Sequence, residues 1–568
     1  MKINKIFNLL FLFLLLTGCS DLDLNPLSEG SSENWYADET EIEMSLNDLF
    51  RHYSWFQDYD DWTDDWESRG RSNQITGATI NANWSTLRSI WRNQYKAISR
   101  SNVLLEKLKE SGEFLSEQKI AFYEANARFC RASRYAYLIS HWGDVPYITA
   151  DISIDKAFTL SRTDKNTILE AIYEDYDYAS TVLPVNYASG RKYATKGACY
   201  AMKARIALYM GDYTTARDEA QKCIDLGVYD LHPSFETLFL TSTKKSPEII
   251  FSIPRSAELN EVFASGTACA NYYTRNAGGY AARNPSWQLF SAFLCTDGLP
   301  IDESPLYNPR EPFKNRDPRC AMTIVEFGTE FLGFIYEPHP DSLKVWSFDK
   351  NSYVTNQDTR SNGQYASYNG LVFRKGINKE WSDDKIADQD KIIIRYADIL
   401  LMYAEAKIEL NEIDASVLNA INQVRARAYS VDVSDVGAYP AVTATNQSEL
   451  RKTLRIERRM EFAPSPREGI RYMDIIRWRI AGKVLNQPTY GMLDVKDLRE
   501  KVVDKGLWFF PGIPEIDEDG VANFDPMFEA GLIKLLGVHA FDESKQYLWP
   551  IPASEVEINP NITQNPGY

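Results

Sequence analysis

The chain has 568 residues, with 79 acidic side chains against 62 Lys and Arg and a formal net charge of −17 at pH 7. Such a length can bury a large core. The acidic balance makes nucleic acid and anionic membrane surfaces poor partners and leaves neutral or cationic ligands open.

At the N-terminus Lys2 and Lys5 precede an apolar run over 6–16, and Leu16-Thr17-Gly18-Cys19 follows. That order fits a bacterial lipoprotein signal peptide over 1–18, with Cys19 acylated as the new first residue. An ordinary cleaved signal peptide is the alternative. The apolar run is too short to cross a bilayer, and no later stretch reaches the roughly 18 apolar residues a span needs. The mature chain is therefore expected to be tethered by lipid, through a polar leash over 19–34.

A helix is predicted over 35–51. The stretch 54–84 then places Trp55, Trp62, Trp66 and Trp84 among Asp, Asn, Gln, Ser and Gly without a 3.6 or 2 period. It reads as a loop rich in exposed aromatics. Helices follow over 87–109, 117–142 and 164–183, with Trp91 and Trp142 on periodic faces that mark them as core. Over 195–227, Ala201, Ala204, Arg205 and Leu208 form one stripe, Gly211-Asp212 breaks it, and Tyr213, Ala216, Ala220, Cys223 and Ile224 form a second before Gly227. Helix, tight turn and Ala-rich helix is the pattern of a tetratricopeptide-type repeat, which needs stacking neighbours to bury its apolar face. A similar unit spans 394–429, with its turn at Asn411-Glu412. Between the two, 229–390 loses helical period, and short β-like runs at 248–253 and 371–374 alternate with Gly, Pro, Asn and Tyr. Helix returns over 449–462 and 469–481. The prolines of 547–568 predict an extended surface tail. The expected fold is mainly α, a superhelix of tetratricopeptide-like pairs (35–228 and 391–481) supporting a loop-rich region with short strands (229–390) and an extended C-terminal segment (482–568), all in one unit.

Cys130, Cys199 and Cys223 fall in helical patterns and read as buried thiols, whereas sequence cannot pair Cys269, Cys295 and Cys320. No GxSxG, Walker A, GxGxxG or HExxH motif occurs, and the five His residues are scattered without ligand spacing. No cofactor is expected. Structural calcium on clustered Asp and Asn stays open, although no EF-hand loop is present. The basic runs 451–459 and 471–479 read as helix-surface charges paired with Glu457, Glu461 and Asp474.

Several segments resemble the SusD/RagB family of outer-membrane nutrient-binding lipoproteins. They are Cys19 with its acidic, Pro-ended leash; ARFCRASRYAYLISHWGDVPY at 127–147; ATKGACYAMKARIALYMGDYTTA at 194–216; IIIRYADILLMYAEAKIELNE at 392–412; LRIERRMEFAPSPREGIRYMDIIRW at 454–478; and the terminal WPIP…QNPGY. The link at 464–468 departs from the family's shorter Phe-Glu-Gly. The resemblance implies four tetratricopeptide-like helix pairs. It also implies a non-enzymatic role, capturing glycan at the cell surface and acting as a lid on a TonB-dependent transporter of the SusC type.

A sugar offers a flat C–H patch rimmed by hydroxyls, so its site needs an open aromatic face beside planar polar groups. Trp62, Trp66 and Trp84 with Asp65, Arg69, Asn73, Gln74, Asn81 and Asn83 supply both kinds of group. A second cluster, Tyr272, Tyr273, Asn276, Tyr280 and Trp287, is expected to face them. For any one Trp, packing against the scaffold is as good a reading. Trp346 and Trp381 are undecided. Peptide capture by the same architecture and a tetratricopeptide adaptor without a small ligand are the alternatives. The lipid anchor makes a direct expectation: Cys19→Ala should shift the protein from the membrane to the soluble fraction on cell fractionation, and continued attachment would rule out acylation at that residue.

Overall fold

A computed structural model describes residues 35–51, 55–188, 193–464 and 468–568. The signal peptide, Cys19, the leash and 465–467 lie outside them. In the N-terminal half run α1 (Glu39–Leu49), α2 (Ser85–Leu108), α3 (Glu117–Trp142), α4 (Lys165–Val182), α5 (Lys196–Met210) and α6 (Tyr213–Asp225). Side-chain oxygens of Ser116, Thr195 and Asp212 accept from the amides of Lys119, Ala198 and Thr215, filling donors that a first turn leaves open. Gly211, at φ +81°, closes α5 in the left-handed conformation one residue before the cap of α6, so the chain reverses abruptly.

The second helical block holds α7 (Tyr396–Glu409), α8 (Ala415–Ala428), α9 (Gln447–Glu461) and α10 (Arg471–Arg477). Each helix from α1 to α8 packs on the next, including α6 on α7 across the long insertion, and α9 packs on α7. The buried Ala201, Ala204, Ala216, Ala220, Ala397 and Ala404 let these backbones approach closely. Trp91 and Trp142 lie in this core as expected, and all six cysteines of the described residues are buried and free.

The insertion and the C-terminal segment build a second core together, with Tyr272, Tyr273, Trp287, Phe290, Phe373 and Trp381 from the first and Tyr490, Phe509, Phe510 and Phe524 from the second. Its strands are short. β1 (Trp66–Glu67) comes from the early loop and pairs antiparallel with β3 (Asn284–Pro285). β2 (Ile249–Ile253) pairs with β8 (Lys391–Arg395), and β4 (Glu330–Phe331), β5 (Phe334–Ile335), β6 (Lys344–Ser347) and β7 (Ser352–Thr355) form a meander. Residues 371–374 make only a single bridge, Phe373 to Ile324. Trp381 is core, whereas Trp346 is half-buried and pairs with Tyr353 across β6 and β7.

The C-terminal segment corrects the expectation of a surface tail. Trp549 and Ile551 are buried in the helical core, the Trp549 indole donates to the Tyr472 hydroxyl at 2.8 Å, and Asn565 Nδ2 donates to the carbonyls of Trp142 and Trp549. Proline keeps this strap extended, yet its apolar residues still have a face to bury.

A second correction concerns the basic runs. Arg458, Arg459 and Arg471 are buried, and their carboxylate partners come from three parts of the chain. Arg458 meets Asp474 and Asp398 at 2.9 and 3.0 Å, Arg459 meets Asp64 and Asp65, and Arg471 meets Asp64. At the end of α9, Glu461 receives Arg319 at 3.1 Å together with Arg395 and Arg427, and the latter two also share Glu248. Burial alone would raise the Glu461 pKa, but Arg427, Arg395 and Arg319 overcome it and hold it at about 2. An unfolded Glu titrates near about 4.3. The contribution of Glu461 to stability is therefore complete above that pH and lost as the pH falls toward 2. Glu461→Gln should cost about 3–5 kcal/mol at pH 7, because it leaves buried guanidinium charge uncompensated. Denaturant titrations from pH 7 to pH 3 should show the gap between wild type and variant shrinking on acidification; an unchanged gap would place the effect elsewhere.

Candidate ligand-binding rim

The early loop does not form the open aromatic face that its composition suggests. Trp62 is buried among Phe56, Tyr59, Tyr472 and Trp549 of the helical core, and the half-buried Trp84 packs on Trp62 and Trp549 at the start of α2. Trp66 is buried in the other core, its ring 4.8 Å from Phe373 and 5.8 Å from Tyr272. Tyr273 and Trp287 are buried too, and the Trp287 indole donates to the Asn369 carbonyl. The loop lacks helical period because it threads between two cores and fills a pocket in each, which is packing by another route.

The polar candidates divide in the same way. Asp65 is buried against Arg459. Asn73 accepts from the amides of Ile75 and Thr76 and donates to the Asp61 carbonyl, which closes a turn. Gln74 is half-buried, with Oε1 lacking a hydrogen-bond partner. Asn81 is exposed and bonded to its own turn through Thr79 and Asn83, and the Asn83 side chain is exposed. Asn276 ties its loop to the end of β7 through Thr355 and Gln357.

Two sequence candidates do meet at the surface, Arg69 and Tyr280. Arg69 (φ +54°) and Gly70 (φ +73°) are the central residues of a turn closed by the Arg71 amide on the Ser68 carbonyl, immediately after β1. Consecutive left-handed residues suit a tight turn of this kind, and a Cβ on Gly70 would sit 2.1 Å from the Leu536 carbonyl oxygen. The β1–β3 ladder sets this turn beside the 271–283 segment. From there Arg69 Nη2 donates to the carbonyls of Tyr280, Ala281 (3.4 Å) and Tyr365 (2.8 Å). Its guanidinium carbon lies 5.5 Å from the Tyr365 ring centroid and 5.8 Å from that of Tyr368. Tyr280 is 38% exposed and Tyr365 50%, and Tyr368 is half-buried. Two more guanidiniums border these rings: Arg275, 5.9 Å from the Tyr280 centroid, and Arg360, 4.3 Å from that of Tyr368.

Tyr365, Tyr368, Arg275 and Arg360 were not legible as site residues. A signal existed at 362–370, NGQYASYNG, where two Tyr stand among small and amide residues without helical period. The arrangement offers partly exposed tyrosine rings beside planar hydrogen-bond donors, the two kinds of group a saccharide needs.

Two other places fit less well. A cleft of about 380 Å³ includes Phe56, Tyr59, Gln57 and Lys391, but Gln57 Nε2 is spent on the Ile392 carbonyl and Lys391 Nζ on that of Trp55. Ser140, His141 and Asp58 lie in hydrogen-bonding sequence, with 3.0 Å at each step. Ser140 donates to the Tyr137 carbonyl and His141 and Asp58 are buried, so this is a structural network rather than an open nucleophile. Among the described residues no group of three His, Cys, Asp or Glu side chains converges as a metal site.

Comparison with known proteins places this architecture in a class. The family model described as SusD family matches residues 247–568, and a second, described as "Starch-binding associating with outer membrane", matches 32–208. The chain belongs to the SusD family. Among curated relatives, SusD-like protein P25 of Formosa agariphila is 23% identical over 86% of this chain and 92% of its own length, and a SusD-like protein of Bacteroides ovatus is 22% identical over 97% and 96%. A solved SusD-like carbohydrate-binding protein from Bacteroides fragilis superposes with a TM-score of 0.74 at 27% identity, covering 93% of this chain and 99% of that one. The surface glycan-binding protein A of Bacteroides fluxus shares the fold, with a TM-score of 0.62 at 19% identity over 94% of this chain and all of that one.

The burial pattern separates structural rings from available ones. Trp66→Ala should lower stability by about 3–5 kcal/mol, and Tyr280→Ala should stay within about 0.5 kcal/mol of wild type. Urea unfolding of both variants checks this, and equal losses would mean that Tyr280 is also a packing residue.

Proposed function

We propose that this chain is a cell-surface lipoprotein that binds oligosaccharide without cleaving it and passes it to a SusC-type TonB-dependent transporter. The observation that carries the reading is the rim, where the exposed Tyr280 and Tyr365 and the half-buried Tyr368 gather around Arg69. Membership of the SusD family, the outer-membrane description of the model matching 32–208, and a solved relative titled carbohydrate-binding support it. Binding rests on ring stacking and on hydroxyls meeting planar donors. Cys19 would hold the rim at the membrane surface, where a transporter mouth lies within reach of a leash.

A rigid rim suits capture. Arg69 is fastened to main-chain carbonyls of two insertion segments, so the rings are set before ligand arrives and little side-chain entropy remains to be lost. A stacked ring contributes about 0.5–1.5 kcal/mol by analogy with aromatic pairs, so Tyr365→Ala should weaken binding by about two- to tenfold. Titration calorimetry against glycan and peptide panels tests this. Heat with oligosaccharides that falls in Tyr365→Ala at unchanged melting temperature supports the reading, and heat with peptides alone would end it.

A further inference from the structure

Resting on the reading of the rim as a glycan site, we propose that it selects saccharides carrying an anionic group, a uronate carboxylate or a sulfate ester, received by Arg69, Arg275 and Arg360.

The charge at this place is only partly paired. Arg69 and Arg275 have no carboxylate within ion-pairing distance among the described residues, and the donors they use go to main-chain carbonyls, Arg275 Nη1 to that of Gly279 at 2.9 Å. Arg360 has a single carboxylate neighbour, Asp494 at 3.8 Å, which Lys534 already holds at 2.8 Å. The Nε of all three arginines is buried without a hydrogen-bond partner, and among the described residues Nη1 of Arg69 and Nη2 of Arg275 donate to no protein acceptor. A guanidinium bonded only to carbonyls keeps its full charge and its remaining N–H fork, the geometry that meets carboxylate and sulfate oxygens.

Nearby acids are turned inward. Glu67 accepts from the Gly70 amide, and Asp358 accepts from the amides of Arg275 and Asn276. Burial raises the pKa of both, that of Asp358 to about 6, and their main-chain donors hold both carboxylates away from the rings. Burial, aided by Arg275 and opposed by Tyr368, also lowers the pKa of Arg69. The cations therefore weigh on one another, and an anion between them would relieve that. Elsewhere the molecule behaves differently: Arg319, Arg395, Arg427, Arg458, Arg459 and Arg477 are all matched to carboxylates. Arg134 and Arg316 are also bonded to main-chain carbonyls, but both are buried; at the rim, three arginines, of which two have no carboxylate partner among the described residues, border exposed rings in a chain of net charge −17.

Calorimetry on the purified full chain with three probes of matched length tests the proposal: an oligogalacturonate, a sulfated galactan oligosaccharide and a neutral galacto-oligosaccharide. At least one anionic probe should bind about tenfold or more tightly than the neutral one, weaken with added salt, and fall to the neutral level in Arg360→Gln at unchanged melting temperature. Which anionic probe leads tells carboxylate from sulfate. Arg275→Gln provides a second variant should the first unfold. Neutral and anionic probes binding equally, with loss in Tyr365→Ala and none in either arginine variant, would overturn the charge selection and keep the glycan site. No binding of any probe that depends on Tyr365 would overturn the site itself.

Discussion

The structure depends on a buried network of guanidinium and carboxylate groups at the end of α9. Glu461 and Glu457 on that helix reach Arg319 of the insertion, Arg425 and Arg427 of α8, and Arg395 of β8, while Arg458 and Arg459 on the same helix reach α7, α10 and the early loop. Taking so many charges out of water is costly, and their mutual attraction offsets that only when every partner is in place. A misplaced helix would leave a buried charge unpaired. The network therefore fixes how the helical block, the insertion and the loop meet, a matter on which apolar packing alone is less exacting.

That alignment is what positions the rim. Arg459 holds Asp64 and Asp65, the two residues before β1, and the β1–β3 ladder then sets the Arg69 turn against the 280–281 backbone. Two residues of ladder and three carbonyl bonds are a small local element. It is rigid because the segments on either side are anchored in separate cores, Trp62 in the helical one and Trp66 in the irregular one. Aromatic residues that composition offers as ligand contacts serve here as the foundations beneath the contacts.

The helical scaffold was legible because its information is local. Ala stripes at i, i+3, i+4 and i+7 and the Gly211-Asp212 break act within a turn or two of themselves, and the structure follows them closely. The strand at Ile249–Ile253 was visible for the same reason. The C-terminal strap was misjudged because proline dictates extension but is silent on burial, and Trp549 is covered by helices hundreds of residues earlier in the chain.

The candidate site was legible only in fragments. By itself the sequence determined the helix pairs, the place of the insertion and the family, since these rest on short-range pattern and on residue order. Whether a Trp in a polar loop faces water or a core, and whether an arginine finds a carboxylate, depends on segments far apart in sequence: Arg69 meets Tyr280 and Tyr365 across more than two hundred residues. Net charge gave an average that disfavours anions, but electrostatic attraction falls with distance and is screened beyond about 10 Å, so the field at the rim is set by the few groups folding gathers there. Only the tertiary structure could decide that those groups are cations with donors to spare.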